Sequence, residues 1–310
     1  DWQRLNNHPR TPLLNRAISG LYAPGSTFKM VVGLAALEAG IISEKTQFSC
    51  SGSMTLGEAR FHCWREQGHG FVNIISAIEQ SCDVFFYEIA LKTGIKKIKD
   101  MANRLGLGVA TGLNLPGEKA GIIPNHDWKL ANQGKVWTPG ETVVAGIGQG
   151  YVLSTPLQLA VMTARIANGR QAVLPQLIEP ETSSDSGFAP LNISPAALRI
   201  IRRGMFKVMY GGLGTARNHK LDDSFGGMAG KTGTVQVKRI TKEQREQGIV
   251  SNIDRPWGER DHALFVAYAP IKKPRYAIAV VVEHGGSGSL AAAPVARDIL
   301  QKTILELGAT

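Results

Sequence analysis

Long apolar runs are missing from this chain: no stretch of its 310 residues approaches the ~20 apolar residues that span a bilayer. No signal peptide opens it, and position 1 falls in Asp1-Trp2-Gln3-Arg4 without a methionine, so it reads as an excised or trimmed piece of something longer. Runs of basic residues are missing too. Lys and Arg outnumber Asp and Glu 35 to 25, and the net charge of +10 suits an anionic partner or simply aids solubility. The basic residues are spread out with no interleaved aromatics, which argues against a nucleic-acid module. Cysteine is scarce, at three residues, and no internal repeat is evident. With 43% hydrophobic and 19% charged residues, the composition is that of a globular chain with a sizeable core, as one large domain or two smaller ones.

Periodicity predicts helices over 26–38, 73–92, 95–106, 155–167, 194–210 and 290–307. Segments rich in Val and aromatics predict strands over 231–237, 263–268 and 276–283. Segment 43–70 reads as loop or short hairpin, 107–154 as loop-rich, and Glu181–Phe188 as a Ser-rich loop. A polar insertion, Lys238–Arg260, separates the first two strands and is too long for a hairpin turn, which predicts a mobile lid or disorder.

Three short strings carry chemistry: Ser26-Thr27-Phe28-Lys29, Ser81-Cys82-Asp83 and Lys231-Thr232-Gly233-Thr234. Ser26 and Lys29 stand at i and i+3 on one helix face, and Ser26 falls at the helix start, where free N–H groups favour a developing oxyanion. Lys29 serves as a base only when neutral, a form favoured by burial and a second cation, for which Lys231 is the candidate. Ser81 sits late in a helical pattern, which predicts a break that exposes its hydroxyl. Gly233 lets a substrate backbone approach, and Lys231 and Thr232 can hold a carboxylate. Taken singly, the strings also fit a capping serine with a solvated lysine, a second helix cap, and a Gly turn before an edge strand.

In this order they match the S-x-x-K, S-x-N and K-T-G triplet of penicillin-interacting acyl-serine enzymes, with Asp83 where the pattern has Asn. The flanks Pro24-Gly25, Gly148-Gln149-Gly150, Thr155-Pro156-Leu157-Gln158, Gly214-Thr215-Ala216 and Arg260-Asp261-His262 resemble class B penicillin-binding proteins over nearly the whole chain. Tyr22-Ala23-Pro24-Gly25, Gly68-His69-Gly70 and the Ser-x-Asp string are similar to the elongation-specific penicillin-binding protein 2 subfamily.

That resemblance implies an α+β fold of the penicillin-binding-protein and serine β-lactamase type, an antiparallel sheet flanked by helices with an all-helical part beside it. Two strands usually precede the nucleophile helix and have no room here, so they are expected to be trimmed. Residues 1–310 are expected to form one transpeptidase domain, with the membrane anchor and pedestal outside the chain. The implied activity is peptidoglycan D,D-transpeptidation at the periplasmic face of the inner membrane, with β-lactams as inhibitors. Ser26 would attack, Lys29 would take the proton and Ser81 would relay one to the departing D-Ala, with Asp83 pairing with or orienting Lys29. Amides of Ser26 and Thr234 would form the oxyanion hole, and Lys231, Thr232, Gly233 and Thr234 the carboxylate site. Implied partners are stem peptides and, through regions outside the chain, a membrane glycosyltransferase and elongation-complex proteins. A carboxypeptidase or a non-catalytic penicillin sensor would share these residues. A serine β-lactamase of the class marked by Glu-x-x-x-Asn is disfavoured, since that pattern is absent between Ser81 and Lys231.

Cys50, Cys63, His69 and Cys82 are spaced C-x12-C-x5-H-x12-C. A Cys3His set is the usual chemistry of structural zinc, though the spacing matches no common finger. A Cys50–Cys63 disulfide with Cys82 free, or three unlinked cysteines, also fit. Subfamily members that carry Asp, Asp, His and Cys at these places add weight to zinc, while the chemistry itself needs no cofactor. His126, His219 and His284 lack partners for a Ser-His-Asp arrangement, and His262 is expected to brace the strand behind the site.

Overall fold

The structure, a computed structural model, describes residues 1–178, 187–238, 244, 248 and 250–308. Two short helices, α1 (Trp2–Asn6) and α2 (Arg16–Ser19), lead to a 3-10 turn, Gly25–Phe28, that runs into α3 (Lys29–Glu38). Residues Lys29 to Ala36 of α3 are buried, so this helix forms through the centre of the core. The segment expected as loop or hairpin holds four short strands, β1 (Gln47–Cys50), β2 (Ser53–Leu56), β3 (Ala59–His62) and β4 (Gly70–Asn73). Antiparallel pairing joins β1 to β4 and β2 to β3.

The single helix expected over 73–92 is two, α4 (Ile74–Glu79) and α5 (Asp83–Thr93). Ser81 lies in the break at φ 57, a left-handed conformation that costs a non-glycine residue about 1–2 kcal/mol. Helix α6 (Ile95–Arg104) follows as expected. The middle, expected to be loop-rich, holds two further helices, α7 (His126–Gln133) and α8 (Pro139–Ala145). Both carry start signals in the sequence: Asn125 accepts the Trp128 N–H, and Glu141 accepts the Thr138 N–H at 2.7 Å. Helix α9 (Pro156–Asn168) begins with a capping box between Thr155 and Gln158, and α10 (Pro195–Tyr210) begins on Ser194.

The larger sheet is antiparallel in the order β5 (Ala229–Val235), β6 (His262–Ala269) and β7 (Tyr276–Val282). Helix α10 lies along β5 and against α4, while α9 and the last helix, α11 (Ala293–Leu307), lie against β6 and β7. Helices α3, α5, α6 and α8 pack on one another beside the sheet. This is the α+β arrangement expected, a helix-flanked antiparallel sheet with an all-helical part. Strand β7 is apolar yet half-buried along its whole length.

Residues 181–186 of the Ser-rich segment and part of the Lys238–Arg260 insertion lie outside the described residues. The described end of the insertion forms 3-10 turns at Asn252–Asp254 and Trp257–Glu259, and Asp261 ties it to β6 by accepting from Asn252 Nδ2 at 3.0 Å. His262 braces the same end of the sheet by accepting the backbone N–H of His284 at 2.9 Å. Among the described residues no helix is long and apolar enough to cross a membrane.

Candidate active site

The three strings meet where the start of α3, the α4–α5 break and β5 converge. Lys29 is fully buried and its ammonium donates to Asp83 Oδ1 at 2.7 Å, the Ser81 carbonyl at 2.8 Å and Ser81 Oγ at 3.2 Å. Lys231, also fully buried, donates to Ser81 Oγ at 2.9 Å and to its neighbour's carbonyl, that of Thr232, at 3.0 Å. The Ser81 hydroxyl therefore accepts from two ammonium groups, which occupy both its lone pairs and turn its own hydrogen elsewhere. The break in the helix is as expected, but Ser81 is buried between the lysines and not exposed by it.

Two ammonium groups share one carboxylate here. Burial, and then the Lys29 charge, push the Lys231 ammonium well below its usual range, so the cost of crowding two cations falls on Lys231. Burial pushes the Asp83 carboxyl up against the pull of Lys29. Removing the surplus cation should stabilise the fold. Lys231→Met is expected to gain about 1–4 kcal/mol at neutral pH while abolishing any function of the ammonium. Because the folded-state value of Lys231 is depressed, the unfolded chain binds its proton more tightly and wild-type stability rises with pH up to the unfolded value. Thermal melts of both proteins should therefore converge as pH rises, and a variant less stable at pH 7 would contradict the surplus-charge account.

Ser26 is half-buried in the 3-10 turn, one turn before Lys29, while Thr234 is exposed. Lys29, one turn on, directs its hydrogen bonds to Ser81 and Asp83. Gly233 has a packing reason besides the one expected. A Cβ there would sit 3.2 Å from Thr27 Cγ2 and 3.1 Å from Leu264 Cβ, so the missing side chain lets β5 press against the serine turn. Gly148, at φ 68, does the same from the other side: its carbonyl accepts the Gly25 N–H at 2.9 Å, and a Cβ would strike the Gly25 carbonyl at 2.3 Å. Thr232 Oγ1 lies 2.8 Å from Thr215 Oγ1, which brings the Gly214-Thr215-Ala216 string to the cleft.

One residue not singled out in the sequence links everything on this side. Trp64 donates its backbone N–H to Asp83 Oδ2 at 2.9 Å and its indole N–H to the Gln80 and Ser81 carbonyls, each at 3.1 Å. Its only sequence signal is its place directly after Cys63.

Cys50, Cys63, His69 and Cys82 come together with their donor atoms all within 4.8 Å of one another. All three cysteines are unpaired and buried, so the disulfide alternative is not the form described. His69 Nδ1 lies 3.5 Å from both Cys50 Sγ and Cys63 Sγ, close to the ~3.5 Å edge of a tetrahedral zinc site. A hydrogen bond from Cys82 pushes the Cys63 thiol down to about 2, and the same bond, with burial, pushes Cys82 up. Burial also raises Cys50. Cys63 Sγ accepts the Asp83 N–H at 3.4 Å, so the cluster abuts the residue that pairs with Lys29.

A serine at a helix start, a hydroxyl clasped by two buried lysines and an edge strand beside them place this fold among the penicillin-interacting serine domains. The chain belongs to the penicillin binding protein transpeptidase domain family, whose pattern matches residues 3–301. It is 37% identical over 310 residues to the peptidoglycan D,D-transpeptidase MrdA of Acinetobacter baumannii, covering 95% of this chain and 45% of that protein. With the MrdA of Escherichia coli strain K12 it is 32% identical over 318 residues, covering 98% and 49%. Among solved structures, PBP2 of Pseudomonas aeruginosa in complex with WCK 5153 superposes with a TM-score of 0.84 at 36% identity, covering all of this chain and 64% of the other. PBP2 of Helicobacter pylori, complexed with MreC, gives a TM-score of 0.87 at 34% identity, covering 100% and 54%. The chain spans about half the length of the curated relatives it matches.

Proposed function

We propose that this domain carries out peptidoglycan D,D-transpeptidation through an acyl-serine ester on Ser26. The Ser81 hydroxyl held between the Lys29 and Lys231 ammonium groups carries this reading. Ser26 Oγ attacks the penultimate D-Ala carbonyl of a stem peptide and Lys29, in its neutral form, takes the proton. The Asp83 carboxylate, 2.7 Å from Lys29 Nζ, holds and orients that amine. Amide N–H groups of Ser26 and Thr234 receive the oxyanion, and β5, a sheet edge among the described residues, offers its outer backbone to an extended peptide. Ser81 relays the proton taken up by Lys29: its own hydrogen goes to the departing D-Ala and Lys29 replaces it on Ser81 Oγ. Lys231, Thr232 and Thr234 anchor the terminal carboxylate. An amine from a second stem then attacks the acyl-enzyme and forms the cross-link. A β-lactam acylates the same serine and stalls there.

The four-donor cluster fits structural zinc. Cys50, Cys63, His69 and Cys82 would hold the ion, whose role would be to fix the 50–70 segment against the Ser81 turn, with no part in the acyl transfer. The full-length protein would sit on the periplasmic face of the inner membrane, with a glycan polymerase and elongation-complex proteins as partners. The Helicobacter pylori relative solved with MreC supports the latter.

Labelling with a fluorescent penicillin tests the acylation step. The wild type should take up about one label per chain and release it slowly, and Ser26→Ala should take up none. Equal labelling of the variant would exclude Ser26 as the nucleophile, and rapid release would point to hydrolysis in place of transpeptidation.

A further inference from the structure

A cleft of about 630 Å³ opens at the β6–β7 turn, the opposite end of the larger sheet from His262. No residue of the three catalytic strings lines it. The end of α9 and the residues just past it, the middle of α10 and the β6–β7 turn converge there. They contribute Arg170, Arg202, Lys272, Lys273 and Arg275, and no carboxylate among the described residues lines the space. Arg275 also lies over the Tyr276 ring. The other four have no ion-pair partner among the described residues. Arg202 separates this cleft from an ordinary solvated patch. It is half-buried, and its Nε donates to the Ile166 carbonyl at 2.7 Å, which fixes the guanidinium across the end of α9. Gly169 makes room for it: at φ 69 it caps the helix, and a Cβ there would collide with Arg202 Nη2. Burial pushes this guanidinium below its usual range, a cost that a bound anion relieves. The turn that carries the lysines is braced as well. The Ile271 N–H donates to the Gly226 carbonyl and the Arg275 N–H to the Ala269 carbonyl, each at 3.0 Å.

We propose that this cleft binds a ligand with two clustered phosphate groups, free in solution or on a lipid headgroup, held by Arg170, Arg202, Lys272 and Lys273. Charge matching carries the choice of ligand. A phosphate monoester holds roughly −1.5 to −2 at pH 7, so a pair supplies about −3 to −4 against four cations without counter-ions. A carboxylate brings one charge, and a single one would leave three of those cations facing one another. The guanidinium fork bonds phosphate oxygens in pairs, and lysine answers phosphate as a point charge, so the mixture suits a charge-dense anion. The volume, about 630 Å³, falls in the ~300–1,000 Å³ range of small-ligand sites and leaves space for an organic group beyond the phosphates. The site stands apart from the acyl-serine chemistry and does not depend on it.

Isothermal titration with inorganic diphosphate tests the site. At ~0.15 M salt the Debye length is about 8 Å, which screens diffuse attraction to a chain of net charge +10. Wild type should bind diphosphate saturably and about tenfold or more tighter than succinate, a dicarboxylate of lower charge. Arg202→Gln and the double variant Lys272→Gln, Lys273→Gln should each weaken diphosphate binding about tenfold or more. Lys96→Gln, Lys97→Gln removes the same charge from an exposed face of α6 and should leave binding unchanged. Thermal melts show which variants fold, and the lysine pair, exposed on its turn, decides if Arg202→Gln does not. Flotation with neutral phospholipid vesicles, with and without phosphatidic acid, distinguishes the sources. Diphosphate binding without flotation assigns a soluble ligand. Flotation that needs phosphatidic acid and is lost in the lysine variant assigns a lipid headgroup. No saturable binding to either probe overturns the site, as does binding no tighter than that of succinate or binding that the cleft variants keep.

Discussion

Asp83→Ala is expected to destabilise the fold by about 3–5 kcal/mol and to abolish penicillin labelling of the molecules that still fold. The carboxylate pairs with Lys29 at 2.7 Å and its charge also favours the ammonium of Lys231, both lysines being fully buried. Its loss leaves two desolvated cations with nothing of opposite charge in contact, and it frees the Trp64 N–H that Oδ2 accepts. Asp83→Asn should fall between, since an amide keeps the shape and hydrogen bonding but removes the charge. Denaturant melts of the three proteins at one pH give the ranking. An alanine variant within 1 kcal/mol of wild type would mean that water or rearrangement supplies what the carboxylate does.

Removing the metal proposed at the cysteine cluster should lower Tm by on the order of 10 °C and slow penicillin acylation in the same samples. The coupling has a specific route. Cys63 Sγ holds the Asp83 N–H, and the next residue, Trp64, holds the Asp83 carboxylate and the Ser81 carbonyl. Without an ion, Cys63 is the thiol pushed down, while Cys50 and Cys82 are both pushed up. A bound divalent cation would draw the remaining protons off and tighten the loop. Plasma emission should find about one zinc per chain, lost with a strong chelator and regained on zinc addition together with Tm and acylation rate. Zinc below about one-tenth per chain in protein purified without chelator would exclude the site.

The sequence carried the three strings and their order because each is short and local: a helix start, a helix break and a strand start. The pairing of Asp83 with Lys29 was legible from the departure at Asp83 and is a 2.7 Å ion pair. Trp64 was not legible, because its partners lie 16–19 residues on and depend on how the segment carrying β4 and α4 folds back. The packing role of Gly233 was hidden for a similar reason. The strand pattern shows where a glycine stands, but only the packed fold shows that Thr27 and Leu264 fill the space its side chain would take. Helices α7 and α8 were missed because short segments with few apolar residues give little periodicity, though Asn125 and the Thr138–Glu141 box mark their starts. The placement of Lys231 as the depressed cation required knowing which lysine lies farther from the carboxylate.

The clasp around Ser81 joins parts of the chain that lie far apart, 52 residues to Lys29 and 150 to Lys231. Contacts at such separations close late in folding, after local helices and hairpins have formed. Acylation competence is therefore among the last properties a molecule acquires as it folds. A fluorescent penicillin added during refolding registers completion of the whole topology, where circular dichroism registers the helices, and the lag between the two signals is the time spent docking β5 against the serine turn.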